Sequence, residues 1–257
     1  MNPVVEIFWT GGYDSSFRIA QLSQREVIIQ PYYLSDQRRS ESCELKAIEA
    51  ITKALKESPQ TKCEFRPLIY VSKDERKVDT EISDAFSQLK EQDYMGSQYE
   101  WLGTFARDHR GIELSIHKDD KAILLIQKHG ALKKVCDDTI GDYYVLDEER
   151  CSDALKTLFG AFRFPLATIT KIEMKAEYAA MGLSSVADKT WFCYTPINGK
   201  PCGKCHPCQY TIQEGMKERF TTMALLRYQF QTKVRPLLAR IPGARKLKSF
   251  ISNVLKK

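Results

Sequence analysis

An α/β fold, with an open, mainly parallel sheet carrying helices on both faces, is what this sequence predicts. Two observations carry the prediction. Short apolar runs alternate with segments of helical period in the order strand, helix, strand, helix, and the first run passes through two glycines directly into a helix. The chain has 257 residues, 43% hydrophobic and 11% aromatic. That suits one large domain, or one with a small appendage, and provides for a sizeable core.

Val4–Trp9 is a short apolar run of the kind a buried parallel strand uses. The turn Thr10-Gly11-Gly12-Tyr13-Asp14-Ser15-Ser16 follows, and from Ser15 to Leu22 the residues Phe17, Ile19, Ala20 and Leu22 fall as in a packed helix. Val27–Leu34 (VIIQPYYL) gives the second strand. Glu41–Lys56 repeats Leu45, Ile48, Ile51 and Leu55 at helical spacing, and Glu64–Val71 gives a third strand. Ser72–Gln92 is charge-rich and reads as a solvated surface helix; Ala122–Gln127 fits a helix or a strand. Lys171–Gly182 (KIEMKAEYAAMG) is a helix ended by a glycine cap. In open parallel sheets the ligand lies beyond the carboxyl ends of the strands, where the glycine turn falls.

A strand–Gly-Gly–helix turn lets backbone N–H groups converge on an anion at a helix N-terminus. Tight turns also use glycine for steric reasons alone. The stretch is neither G-x-x-x-x-G-K-[ST] nor G-x-G-x-x-G.

Four of the eight cysteines, Cys193, Cys202, Cys205 and Cys208, fall within sixteen residues as C-x8-C-x2-C-x2-C. Gaps of two residues suit metal chelation better than a disulfide framework. Four thiolates close a tetrahedral Zn²⁺ shell with no open position, which makes the site structural. An iron–sulfur cluster and four free buried cysteines are the alternatives. No run of 18 apolar residues occurs, and no basic flank precedes the first apolar stretch. A cytoplasmic protein without signal peptide or membrane span is therefore expected. The net charge is +6, yet Glu218 is the last acidic residue, so the charge is concentrated in the tail. After Pro242-Gly243, the residues Leu247, Phe250, Ile251, Val254 and Leu255 form one helical stripe among lysines and arginines. Such a helix suits a membrane surface, nucleic acid, an acidic protein partner, docking on the body, or a second copy of the chain as a homodimer.

Thr10-Gly11-Gly12-Tyr13-Asp14-Ser15 resembles the S-G-G-x-D-S signature of the PP-loop ATP pyrophosphatases, whose fold is Rossmann-like, with Thr replacing the first Ser. Thr190-Trp191-Phe192-Cys193-Tyr194 and Pro201-Cys202-Gly203-Lys204-Cys205-His206-Pro207-Cys208 resemble the zinc loop of 7-cyano-7-deazaguanine synthases, T-W-S-C-Y then C-G-K-C-x-x-C. Pro165-Leu166 with Thr170-Lys171-Ile172-Glu173-Met174 is similar to that family's P-L…K-x-E-I helix start. Asp36-Gln37-Arg38 is similar to its Y-G-Q-[RK] stretch. The resemblance implies ATP, Mg²⁺ and Zn²⁺ as cofactors. It implies that Thr10, Gly11, Gly12, Ser15, Ser16, Arg38 and Lys171 bind nucleotide. Asp14 would order the turn or help to place Mg²⁺, and Asp14 and Lys171 would serve catalysis.

The implied reaction is that of a carbon–nitrogen ligase in queuosine biosynthesis. A carboxyl or carbonyl oxygen is adenylated with release of pyrophosphate, ammonia gives the amide, and dehydration gives a nitrile. The small-molecule partners would be an acid acceptor, ammonia and ATP. Departures lie in the acceptor motifs. Where the family has P-G-R-N this chain has Tyr94-Met95-Gly96-Ser97-Gln98-Tyr99, and Y-P-D-C-R has no copy. A PP-loop tRNA-modifying enzyme or another amidotransferase is the alternative enzyme, and a non-catalytic nucleotide-binding module the alternative of another class. His109, His117, Asp119 and Asp120 read as solvated loop residues. The segments expected are an ATP-binding α/β domain over 1–185, a zinc loop with a C-terminal helix over 186–230, and the basic tail over 231–257.

Overall fold

In the computed structural model, which describes residues 2–239, the sheet grows outward from the first apolar run. β1 (Val4–Phe8) lies between β2 (Ile28–Leu34) and β5 (Ile112–Glu113), and every pairing in this six-stranded sheet is parallel. The order is β3-β2-β1-β5-β8, with β8 at Phe162–Arg163. The expected third strand is two short ones, β3 (Glu64–Phe65) and β4 (Ile69–Val71), both paired with β2. The interruption falls at Pro67, opposite Pro31 of β2. Val27 and Ile29 present their carbonyls to the third-strand side, accepting from Glu64 and Arg66. Pro31 sits two residues further on the same side and has no N–H to offer there. The Gln30 amide fills the gap by donating to the Pro67 carbonyl at 3.1 Å.

Alternate residues of the central strands enter different cores, as a sheet covered on both faces requires. Val5, Ile7 and Trp9 with Ile29 and Tyr33 pack beneath α1 (Tyr13–Ser23), α2 (Glu41–Lys56), α7 (Lys171–Ala180) and α8 (Ser184–Ala187). Phe8, Tyr32, Leu34, Ile112 and Phe162 pack beneath α3 (Thr80–Gln92), α4 (Gln98–Asp108), α5 (Lys121–His129) and α6 (Asp153–Phe159). A hairpin of β6 (Leu132–Val135) and β7 (Tyr143–Leu146) forms a second sheet, joined to the chain just after β8 by an antiparallel bridge between Tyr144 and Phe164.

The expectation of a solvated helix over Ser72–Gln92 is corrected. Lys73–Glu75 is a single 3₁₀ turn, and α3 buries Ile82, Ala85, Phe86 and Leu89, four positions at helical spacing that the surrounding charges obscure. The undecided Ala122–Gln127 is helical, within α5, with Asp120 capping its N-terminus. Gly182 follows α7 at φ +69°, its N–H donating to Ala179 and that of Leu183 to Tyr178, a paired C-terminal closure that favours glycine.

The chain divides into two compact units. One holds Met1–Gln37 and Glu44–Thr190, the other Arg38–Cys43 and the chain from Trp191 on. The second unit contains α9 (His206–Gln213), α10 (Thr222–Gln229), a π-helical turn Phe230–Val234 and α11 (Arg235–Ala239). Its apolar centre joins Cys193, Cys202 and Cys208 to Ile212, Phe220 and Ala224. The stripe expected after Pro242-Gly243 lies outside the described residues. Among the described residues no helix is long and apolar enough to cross a membrane.

Candidate active site

Three neighbouring parallel strands deliver the candidate residues to one edge of the sheet. The glycine turn follows β1, His117 follows β5, and Lys171 follows β8. From β1 the sheet runs to β2 on one side and to β5 on the other, which places the turn at the topological switch point.

Gly11 has φ +68°, and a Cβ there would stand 2.8 Å from the Glu44 carbonyl oxygen and 3.2 Å from the Ala47 Cβ of α2. Glycine is needed at 11 both for the left-handed backbone and for the approach of that helix. Gly12 is the N-cap of α1 and supplies no side-chain acceptor, so the first turn of the helix faces the edge without a cap of its own. Thr10 and Ser15 are half-buried beside it. Ser16 turns inward, fully buried, and its Oγ accepts the Trp9 indole N–H at 3.0 Å.

Asp14 meets His117 across the switch point, with Oδ2 3.0 Å from Nδ1. The other carboxylate oxygen, Oδ1, is buried and among the described residues has no hydrogen-bond partner. Burial works to push the His117 ionisation down and Lys171 adds to that. The hydrogen bond and charge of Asp14, helped by Asp120, override both and hold it above the ordinary histidine value. Lys171 opens α7, whose N-terminus is fixed by a reciprocal cap between Thr170 and Glu173. The Lys118 N–H donates to the Ile169 carbonyl and ties the His117 segment to the approach to Lys171. Tyr99 donates from α4 to Asp120 at 3.1 Å. Beneath the site, Arg18 of α1 grips Glu113 of β5 with Nη2–Oε1 at 2.6 Å and Nε–Oε2 at 2.7 Å, and also donates to the Ile140 carbonyl. A cavity of about 640 Å³ lies elsewhere, between α2 and the outer strands around Ile48, Thr52, Phe65 and Pro67.

The reading of His109, His117 and Asp120 as solvated loop residues is corrected. His109 pairs with Glu6 at 3.2 Å and stacks on Phe105, His117 holds Asp14, and Asp120 caps α5. Asp119 is exposed. Arg18 and Glu113 were not read as site residues at all. The signal for Glu113 is the alternation of Ile112, Leu114 and Ile116 with Glu113, Ser115 and His117 along β5 and the chain leaving it, where Glu113 and Ser115 are polar yet buried. Arg38 belongs to the second unit. In place of P-G-R-N, Met95 and Tyr99 are buried while Tyr94 is exposed.

In the second unit the Sγ atoms of Cys193, Cys202, Cys205 and Cys208 all lie within 4.8 Å of one another. Cys202–Cys208 is 3.8 Å and Cys193–Cys205 3.9 Å. Tetrahedral Zn²⁺ with bonds of about 2.3 Å sets sulfurs about 3.8 Å apart, so the four fit that ion. The Cys202 sulfur accepts from the N–H groups of Lys204 and Cys205 and from the Thr195 hydroxyl, and hydrogen bonds from Cys193 and its neighbours hold its thiol well below the ordinary range. Gly203, at φ +78°, approaches the Ala224 carbonyl so closely that a Cβ would lie on it.

The chain thus combines an α/β sheet that has a glycine turn at its switch point with a four-cysteine cluster. Residues 156–218 match the family model described as "Queuosine biosynthesis protein QueC". That stretch contains Lys171 and all four clustered cysteines; the glycine turn lies before it. No curated protein matches the chain.

Proposed function

We propose that this protein is an ATP-dependent carbon–nitrogen ligase of the 7-cyano-7-deazaguanine synthase type. The observation that carries the reading is the meeting of the glycine turn, Asp14 and Lys171 at the carboxyl edge of adjacent strands, together with the match over residues 156–218. The turn from Thr10 to Ser15 holds the β- and γ-phosphates, and Lys171 neutralises charge on the departing pyrophosphate. A carboxylate oxygen of the acceptor attacks the α-phosphorus. The bond to pyrophosphate breaks, and ammonia then displaces AMP from the acyl carbon to give an amide. A second adenylation at the amide oxygen, followed by loss of AMP and of the nitrogen-bound protons, leaves a nitrile.

Mg²⁺ arrives with the nucleotide phosphates. Among the described residues the clustered cysteines are the one group of three or more candidate ligands. Zn²⁺ on those cysteines is structural, since four sulfurs leave no open position. Ser16, whose Oγ accepts the Trp9 indole N–H, supports the turn from behind rather than reaching the phosphates.

Incubation with ATP, ammonia and candidate deazapurine acids, with pyrophosphate release as the readout, tests the reading. Asp14→Ala should abolish the release; release unchanged by that substitution refutes the site. The rebuilt segment around Met95 and Tyr99 favours a second reading, a nucleotide-binding protein with another acceptor or none. ATP bound without pyrophosphate release under every acceptor would select it.

A further inference from the structure

We propose that His117 is an additional anion ligand of this site, with Asp14 holding its Nδ1 and its Nε2 donating to the pyrophosphate portion of the nucleotide; the inference rests on the nucleotide reading above. The ring is mostly buried, 14% exposed, and is carried to the switch point by the segment leaving β5. Its Nδ1 is committed to Asp14, and among the described residues its Nε2 has no protein partner. An imidazole so placed presents one remaining nitrogen to whatever occupies the mouth of the turn.

The charged groups facing the ring are Asp14 from α1, Lys171 from α7 and Asp120 from the cap of α5. Burial disfavours charge on the ring, but the hydrogen bond and charge of Asp14, with Asp120, outweigh it and Lys171; the imidazolium is favoured, and its Nε2–H has no protein partner among the described residues. A bound phosphate strengthens that preference. Lys171 and His117 would thus flank the anion from neighbouring strands while the helix N-terminus of α1 meets it from below.

Two substitutions separate a ligand from a scaffold. His117→Asn keeps a donor where Nδ1 meets Asp14 and removes the one at Nε2; His117→Gln places an amide N–H at the Nε2 position. Calorimetric titration with inorganic pyrophosphate at pH 7 should find His117→Asn weakened about tenfold or more, the scale of one charge-assisted hydrogen bond. His117→Gln should stay within about threefold of the native chain and lose its pH dependence, because an amide does not titrate. In the native protein, pyrophosphate affinity should fall as pH rises through the His117 ionisation, and saturating ligand should raise that ionisation, followed by NMR of the ring protons.

Native-like affinity in His117→Asn, or a His117 titration unmoved by saturating pyrophosphate, overturns the assignment of His117 alone. A native chain that binds neither pyrophosphate nor ATP overturns the nucleotide reading with it. The titration on unaltered protein decides the matter if either variant fails to fold.

Discussion

Glu113→Gln should destabilise the first unit more than any conservative change on its surface. The native carboxylate accepts two bonds from Arg18, at 2.6 and 2.7 Å, with the side chains 3% and 0% exposed. An amide of the same shape keeps one acceptor but leaves the guanidinium buried without a counter-charge. Removing one partner of a buried pair costs about 3–5 kcal/mol, a large share of the roughly 5–15 kcal/mol that holds most domains together. With a urea dependence of about 2–3 kcal/mol per molar, the unfolding midpoint should fall by about 1–2.5 M. Helical circular dichroism against urea measures it. Replacing both partners, Arg18→Met with Glu113→Leu, should cost less than the single change, since no charge is stranded; what remains is the unmet Ile140 carbonyl, about 1–2 kcal/mol. A Glu113→Gln protein within about 1 kcal/mol of native, or a double variant as weak as the sum of its single changes, refutes the claim that this pair is a coupled buried unit.

Cys205→Ser should lose metal and unfold the second unit together, since the apolar centre there is built around the cysteines; metal analysis and chelator-induced loss of structure check it. Gly11→Ala should cost about 1–2 kcal/mol for the left-handed backbone alone. The 2.8 Å approach to the Glu44 carbonyl adds to that, so thermal unfolding should shift down and pyrophosphate release should fall with it. Asp14→Asn should lower the His117 ionisation seen by NMR, because the Asp14 hydrogen bond and charge raise it. The sign for stability follows: a raised histidine contributes fully below its unfolded pKa of about 6.5 and loses that contribution as pH rises through the folded value. The native–variant stability difference should therefore be larger at pH 6 than at pH 9, and a difference that grows with pH would contradict the pairing.

The order of strands and helices was legible because each element repeats its apolar residues at its own period. β1, β2, α1, α2 and α7 stand where those periods put them. The break between β3 and β4 was not, because it depends on two prolines, Pro31 and Pro67, meeting across a strand pair whose register only the folded sheet fixes. α3 is hidden for a related reason: a largely charged run, residues 73–79, directly precedes it, while the four residues that pack occupy one narrow face. Local motifs exposed the glycine turn and the cysteines, whose partners lie within a few residues in sequence. His117 and Glu113 were hidden because their partners, Asp14 and Arg18, lie 103 and 95 residues away.

Those two long-range contacts form a single construction. Asp14 and Arg18 are four residues apart on α1, one turn of helix, and Glu113 and His117 are four apart on the chain leaving β5. The pairs run crosswise: in the lower one the helix supplies the cation and the strand the acid, and in the upper one the roles reverse. The lower pair is bidentate and sealed from water, so it fixes how far α1 stands from β5. The upper pair inherits that distance, is partly open, and has one carboxylate oxygen and one imidazole nitrogen without partners among the described residues. Rigidity is needed below, where misplacement would move the glycine turn against its neighbouring strand. Unused bonding capacity is useful only above, where a ligand can take it up. A structural salt bridge and the proposed binding site thus share two elements and differ in what water and ligand can reach.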